Sequence, residues 1–220
     1  MYLYTGGEPL VRKKDLITLC ERHPDCVFLS FTNATLIDEA FADEMLRVKN
    51  FIPAISVEGF EEETDFRRGK GTYQAVTRAM EILKSRRLAF GASCCYTSKN
   101  VDVIGSEEYF DDLIAKGALF AWFFTYMPVG AGAPTDLMAT AEQREFMYHQ
   151  IRRFRDTKPV HHGLLERRGI RQGLYRRRPV LSAHQRQRRH RALRLYPLLR
   201  LQHPGEEPAG CLLYTSDAAD

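Results

Sequence analysis

A chain of 220 residues with 44% hydrophobic and 27% charged content can bury a core and is expected to form one or two domains. The longest apolar run, Ala118 to Phe124, is too short to cross a bilayer, so a cytoplasmic location without a membrane partner is expected. The net charge of +4 is uneven: residues 1–160 hold 20 Lys and Arg against 23 Asp and Glu, residues 161–220 hold 12 against 5, and the basicity therefore belongs to the second part alone.

In chain order, five nearly continuous apolar runs read as strands buried on both faces: Tyr2 to Tyr4, Cys26 to Phe31, Ile52 to Val57, Leu88 to Cys95 and Ala118 to Tyr126. Helical patterns lie between and after them, over Lys13 to Arg22, Asp38 to Val48, Thr72 to Ser85, Ser106 to Lys116 and Ala141 to Arg155. Asp38, Thr72, Ser106 and Thr140 are the expected caps. Strand alternating with helix over short connections predicts an α/β fold with a parallel sheet. Cys20, Cys26, Cys94, Cys95 and Cys211 have no metal-knuckle spacing and read as reduced thiols, most of them small core residues.

In such a sheet, sites gather at the carboxyl ends of the strands, where the connecting loops converge. Those ends carry Thr5 to Pro9, Thr32 to Thr35, Ser56 to Gly59, Cys95 to Thr97 and Tyr126 to Gly130. Gly6 and Gly7 allow a ligand to approach the backbone, Pro9 fixes the turn, and Glu8 places a carboxylate where a cationic amine would be held. Each cluster also has a plain reading, with glycines serving turns and Asn33 or Thr35 capping a helix.

The stretch "GGEP" resembles the motif after the second barrel strand of radical S-adenosylmethionine enzymes. "FTNATL" resembles that family's Thr-Asn-Gly-Thr, with Ala34 in place of glycine, and "ISVEG" resembles its Ser-Leu-Asp-Gly, with Glu58 as the acid. "DFRRGKGTY" resembles the Asp-x-x-Arg-Gly segment of the peptide-modifying branch, and "FFTYMPVG" the end of the sixth strand. The resemblance spans residues 1 to about 160 and implies a partial (β/α) barrel whose first strand is missing. It implies S-adenosylmethionine as cofactor: Gly6, Gly7, Glu8 and Pro9 toward the methionine amine, Ser56 and Arg68 toward its carboxylate, Asn33 and Met127 toward the nucleoside.

The same resemblance implies a [4Fe-4S] cluster, at which S-adenosylmethionine is reductively cleaved to a 5'-deoxyadenosyl radical that takes hydrogen from substrate. It also implies an external reductant such as flavodoxin or ferredoxin. The Cys-x-x-x-Cys-x-x-Cys loop that would ligate the cluster is absent. Cys94 and Cys95 are adjacent on a strand, point to opposite faces and cannot replace it. Met1 is therefore expected to lie inside a longer gene, with this chain an inactive fragment of a radical enzyme.

Residues 161–220 hold every positive charge as Arg, without a single Lys. Starting each codon one nucleotide later, Ser182 to Gln202 permits "LHINANGDIEPCAFIHYSDSN", which resembles the auxiliary iron-sulfur (SPASM-like) extension of the same enzymes and suggests a peptide or protein substrate. The segment is thus expected to be a disordered, out-of-frame tail with no nucleic-acid partner. Two rival readings are an RNA-binding protein acting through this tail, and a metal-independent barrel lyase or hydrolase using Glu8 and Glu58 as acid and base.

Overall fold

A computed structural model of the chain describes residues 1–130, 132–158 and, for their backbone, 161–162. Six parallel strands lie in sequence order: β1 (Tyr2–Tyr4), β2 (Phe28–Thr32), β3 (Phe51–Ser56), β4 (Gly91–Tyr96), β5 (Phe120–Thr125) and β6 (His161–His162). Helices connect each strand to the next: α1 (Lys13–Arg22), α2 (Glu39–Val48), α3 (Glu61–Arg68) with α4 (Thr72–Ser85), α5 (Val101–Ile104) with α6 (Glu107–Lys116), and α7 (Ala141–Thr157). A parallel neighbour in sequence order requires such a crossover, and its repetition curls the sheet into a partial barrel. The α/β expectation holds. Strand β6 carries the sheet two residues past the expected boundary at 160, while the expected frameshifted and disordered tail otherwise lies outside the described residues.

Helix ends follow local chemistry. Asp38, Ser106 and Thr140 accept bonds from the backbone N–H groups of Phe41, Tyr109 and Gln143 and start α2, α6 and α7 as expected. Gly117, at φ +102°, ends α6 in the left-handed region. Thr72 does not cap α4: Gly71 occupies that position, and the Thr72 hydroxyl bonds back to the Arg68 carbonyl. Helix α3 carries no periodic apolar signal, because "EEETDFRR" buries only Thr64. It is held instead by three acids in its first turn, two arginines in its last, and the Glu63 carboxylate on the Phe60 N–H.

The sheet separates two apolar layers. On the outer face Phe28, Phe51, Ile55, Ala92, Cys94 and Ala121 pack under the helices, which contribute Leu16, Phe41, Met45, Met80, Leu83 and Leu113 among others. On the inner face, Leu29, Ala54 and Trp122 form a smaller cluster with Phe31, Phe120 and Phe124. Alternation along the strands puts Ser56, Ser93 and Cys95 on that inner face too, since Ser56 pairs with Ser93, Ser93 with Trp122, and Cys95 with Phe124.

Gly91 is required by this inner layer, because a Cβ there would sit 2.3 Å from the Phe120 ring. Gly91→Ala must displace that ring, which packs on Trp122 with centroids 5.7 Å apart, and is expected to destabilise the protein by about 1–3 kcal/mol in urea unfolding. An unchanged midpoint would mean that Phe120 moves freely.

Candidate functional site

The residues expected to meet S-adenosylmethionine lie at the carboxyl ends of strands, except Arg68, which is tied to them through Glu58. Gly6 to Pro9 follow β1, Asn33 follows β2, Ser56 ends β3, Arg68 ends α3 and is tied to the ends of β3 and β4, and Met127 follows β5.

The first turn is pinned by its own acid. Glu8 Oε1 accepts from the Leu10 N–H at 2.9 Å and the Thr32 hydroxyl at 2.7 Å, while Oε2 accepts from the Asn33 N–H at 2.7 Å. The carboxylate thus staples the loop after β1 to the end of β2 and leaves the glycine backbone as the open surface. Gly6 has φ +105°, and a Cβ on either glycine would meet nothing within 4 Å. Asn33 in turn accepts, through Oδ1, from the N–H (3.0 Å) and hydroxyl (2.7 Å) of Thr35. Asn33 therefore closes a turn, not a helix cap. Ala34, expected as a departure from glycine, is buried at φ +61°, a conformation that costs a non-glycine residue about 1–2 kcal/mol.

A second acid organises the other side. Glu58 is 0% exposed and accepts on Oε2 from Arg67 Nη1 at 2.8 Å and the Cys95 N–H at 3.0 Å. Its Oε1 accepts from Nε of Arg68 at 2.9 Å and from Nη2 of the same guanidinium. Around this pair of ion bridges, Thr64 accepts from the Glu58 N–H, and Asn100 Nδ2 donates to the carbonyls of Glu58 (3.0 Å) and Cys95 (3.3 Å). Asn100 Oδ1 accepts from both the N–H and the hydroxyl of Thr97. Burial lowers the proton affinity of Arg67, but the Glu58 charge and the Cys95 contacts outweigh it and leave the pKa raised. Burial also raises the pKa of the Cys95 thiol, against the charge of the adjacent Arg67.

Arg67, Thr64, Thr97 and Asn100 were not singled out individually by sequence reasoning. Arg67 stood beside the motif arginine, and both guanidiniums pair with the wholly buried Glu58. Glu8 and Glu58 are both fixed acceptors of backbone and side-chain donors, which disfavours the acid–base rival.

The four described cysteines divide: Cys20 on α1 and Cys94 on β4 are buried, with burial pushing Cys20 up to about 11, while Cys26 and Cys95 are partly buried. Cys94 contacts the Tyr109 hydroxyl on the outer face while its neighbour Cys95 lies on the inner one. Among the described residues no group of three or more His, Cys, Asp or Glu could hold a metal ion, so these side chains do not fit an iron-sulfur cluster. No described helix is long and apolar enough to cross a membrane.

This is the fold of a partial radical S-adenosylmethionine barrel, and the family model of the Radical SAM superfamily matches residues 2–98. An uncharacterised protein of Archaeoglobus fulgidus is 36% identical over 86 residues, which are 39% of this chain and 20% of that protein. Among solved structures, native anSMEcpe with bound AdoMet and Kp18Cys peptide superimposes with a TM-score of 0.60 at 21% identity, covering 73% of this chain and 49% of that one. SuiB of Streptococcus suis bound to S-adenosylmethionine superimposes at 0.55 and 16% identity, covering 73% and 38%. The chain thus spans half or less of the length of these three proteins.

Two outcomes test the site's construction. Glu58→Ala leaves two half-buried guanidiniums unpaired and is expected to cost about 3–5 kcal/mol in denaturant unfolding, with Glu58→Gln costing less because it still accepts hydrogen bonds. Asp65 accepts from the N–H groups of Tyr73 (2.9 Å) and Gly71 (2.6 Å), which hold its pKa below the usual range. A carboxyl depressed by folding stabilises above its unfolded pKa and loses that contribution as pH falls through the folded one. Unfolding measured from pH ~5 down to ~2 should therefore show a steeper loss of stability in the unsubstituted chain than in Asp65→Asn, which starts lower at neutral pH.

Proposed function

We propose that residues 1–160 are the S-adenosylmethionine-binding part of a radical S-adenosylmethionine enzyme acting on a peptide or protein. The observation that carries this reading is the pairing of an open glycine turn, pinned by Glu8, with the Glu58-anchored Arg68 at the carboxyl ends of one parallel sheet. The backbone of Gly6 to Pro9 receives the methionine amine through its carbonyls. Ser56 and the Nη1 side of Arg68 hold the carboxylate, and Asn33 and the backbone at Met127 border the nucleoside. When bound in such enzymes, the cofactor is the source of an adenosyl radical. The residues of this chain supply its orientation. Both solved relatives carry AdoMet or S-adenosylmethionine, and SuiB also has a form bound to the precursor peptide SuiA, which supports a peptide substrate. Residues 161–220 are, in this reading, an out-of-frame tail.

Trp122 is the sole tryptophan and lies on the inner face, so its emission reports ligands there. Saturable quenching by S-adenosylmethionine, weakened about tenfold by Arg68→Ala through loss of a charge-assisted bond, is the expected result. Absence of any binding to the unsubstituted folded chain would remove the reading.

A further inference from the structure

Two guanidiniums share one buried carboxylate, and they share it unequally. Arg68 spends Nε and Nη2, the edge that grips a carboxylate side-on, on Glu58 Oε1. Arg67 spends only Nη1, on Glu58 Oε2 and on the Cys95 carbonyl at 3.2 Å. Its Nε and Nη2 donate to no oxygen among the described residues, although its side chain is only 27% exposed. The guanidinium stacks over the Tyr126 ring at 5.5 Å, directly past β5, and lies beside the Cys95 thiol, which places it over the carboxyl ends of β4 and β5. Below it on the same face are Phe124, Trp122 and Phe31, the last two with centroids 4.9 Å apart.

Binding of S-adenosylmethionine would not quench this charge. The cofactor brings one carboxylate together with an ammonium and a sulfonium, so the positive excess of the two arginines over Glu58 remains after it binds. A half-desolvated cation whose Nε and Nη2 meet no oxygen among the described residues, only the neighbouring Cys95 thiol, and which has an aromatic floor beneath it, is complementary to an anion joined to an apolar group.

We propose that Arg67 is a specificity-determining residue that holds a carboxylate of the substrate: an acidic side chain of a peptide whose neighbouring apolar side chain rests on Phe31, Trp122 and Phe124. This deepens the reading of a radical enzyme acting on a peptide and rests on it for the word substrate; the binding itself does not depend on S-adenosylmethionine. It separates two adjacent arginines by role, with Arg68 turned to the cofactor and Arg67 to what the cofactor attacks.

The test uses the full 220-residue chain and Trp122 emission. N-acetyl-glutamyl-phenylalanine amide should give a saturable change, and its glutaminyl counterpart should bind about tenfold more weakly, the factor for one charge-assisted hydrogen bond. Arg67→Gln should abolish that preference, and Arg67→Lys, which keeps the charge without the fork, should restore only part of it. Circular dichroism of each variant reports whether it folds, and the comparison of the two peptides on the unsubstituted chain stands without any variant. Equal affinity for the two peptides, no binding of the acidic one, or an undiminished preference in a folded Arg67→Gln would each overturn the proposal. A parallel titration with S-adenosylmethionine separates the two readings. Cofactor binding without peptide preference sinks this inference alone, and peptide preference without cofactor binding sinks only the reading of the cofactor site.

Discussion

The carboxyl ends of β3 and β4 are held together by one buried carboxylate. Glu58 leaves water entirely, and a lone ion there would be costly, so its environment must supply both charge and hydrogen bonds. It does so from two different elements: two guanidiniums from the end of α3 and one backbone N–H from β4. Thr64 and Asn100 then satisfy the turn around it, and Asn100 carries the connection on to Thr97. The position of both arginines, and so of any anion they meet, follows from where Glu58 is buried. A buried ion pair of this kind contributes little net stability compared with an apolar replacement, but breaking it from one side is expensive. It therefore fixes geometry more than it adds stability.

Glu8 performs the parallel task at the other end of the sheet. Strand β1 is short, and two of its three residues are exposed, so little apolar burial holds the loop that follows it. The carboxylate compensates by bonding the end of β2, and the loop's glycines are thereby kept open instead of collapsing onto the sheet. The left-handed Ala34 belongs to the same corner. Its backbone strain is tolerated because the Thr32 hydroxyl accepts from its N–H and the residue is buried, so the surrounding bonds over-determine its conformation.

The order and type of the long elements were legible in the sequence because each rests on a periodic signal. Val76, Ala79, Met80 and Leu83 repeat along α4 with helical spacing, and the strands read as nearly unbroken apolar runs because they send apolar side chains to both faces of the sheet. Helix α3 was not legible, since it has no apolar stripe and depends on dipole charges and on Glu58, a residue that precedes it. The site was readable where motif and strand end coincide, as at Gly6 to Pro9. It was not readable at Arg67 or Asn100, whose roles arise from contacts across 9 and 42 residues of sequence. Glu58 itself was picked out as an acid at a strand end, but only its complete burial distinguishes an anchor from an acid–base group.

The two apolar layers divide the work between stability and binding. The outer layer is large, continuous and filled by helices, so most of the area removed from water lies there. The inner layer is small, with Phe31, Phe120 and Phe124 only partly buried, and its Trp122 Nε1 finds no hydrogen-bond partner among the described residues. Such a surface is poorly optimised for folding, because partly exposed rings forgo burial and an unpartnered buried donor costs about 1–3 kcal/mol. A fold whose stability came from its inner face would have sealed it. Because the outer layer supports the sheet without that help, the inner face is free to stay open, and the cation placed at its rim by Glu58 gives the opening a chemical preference.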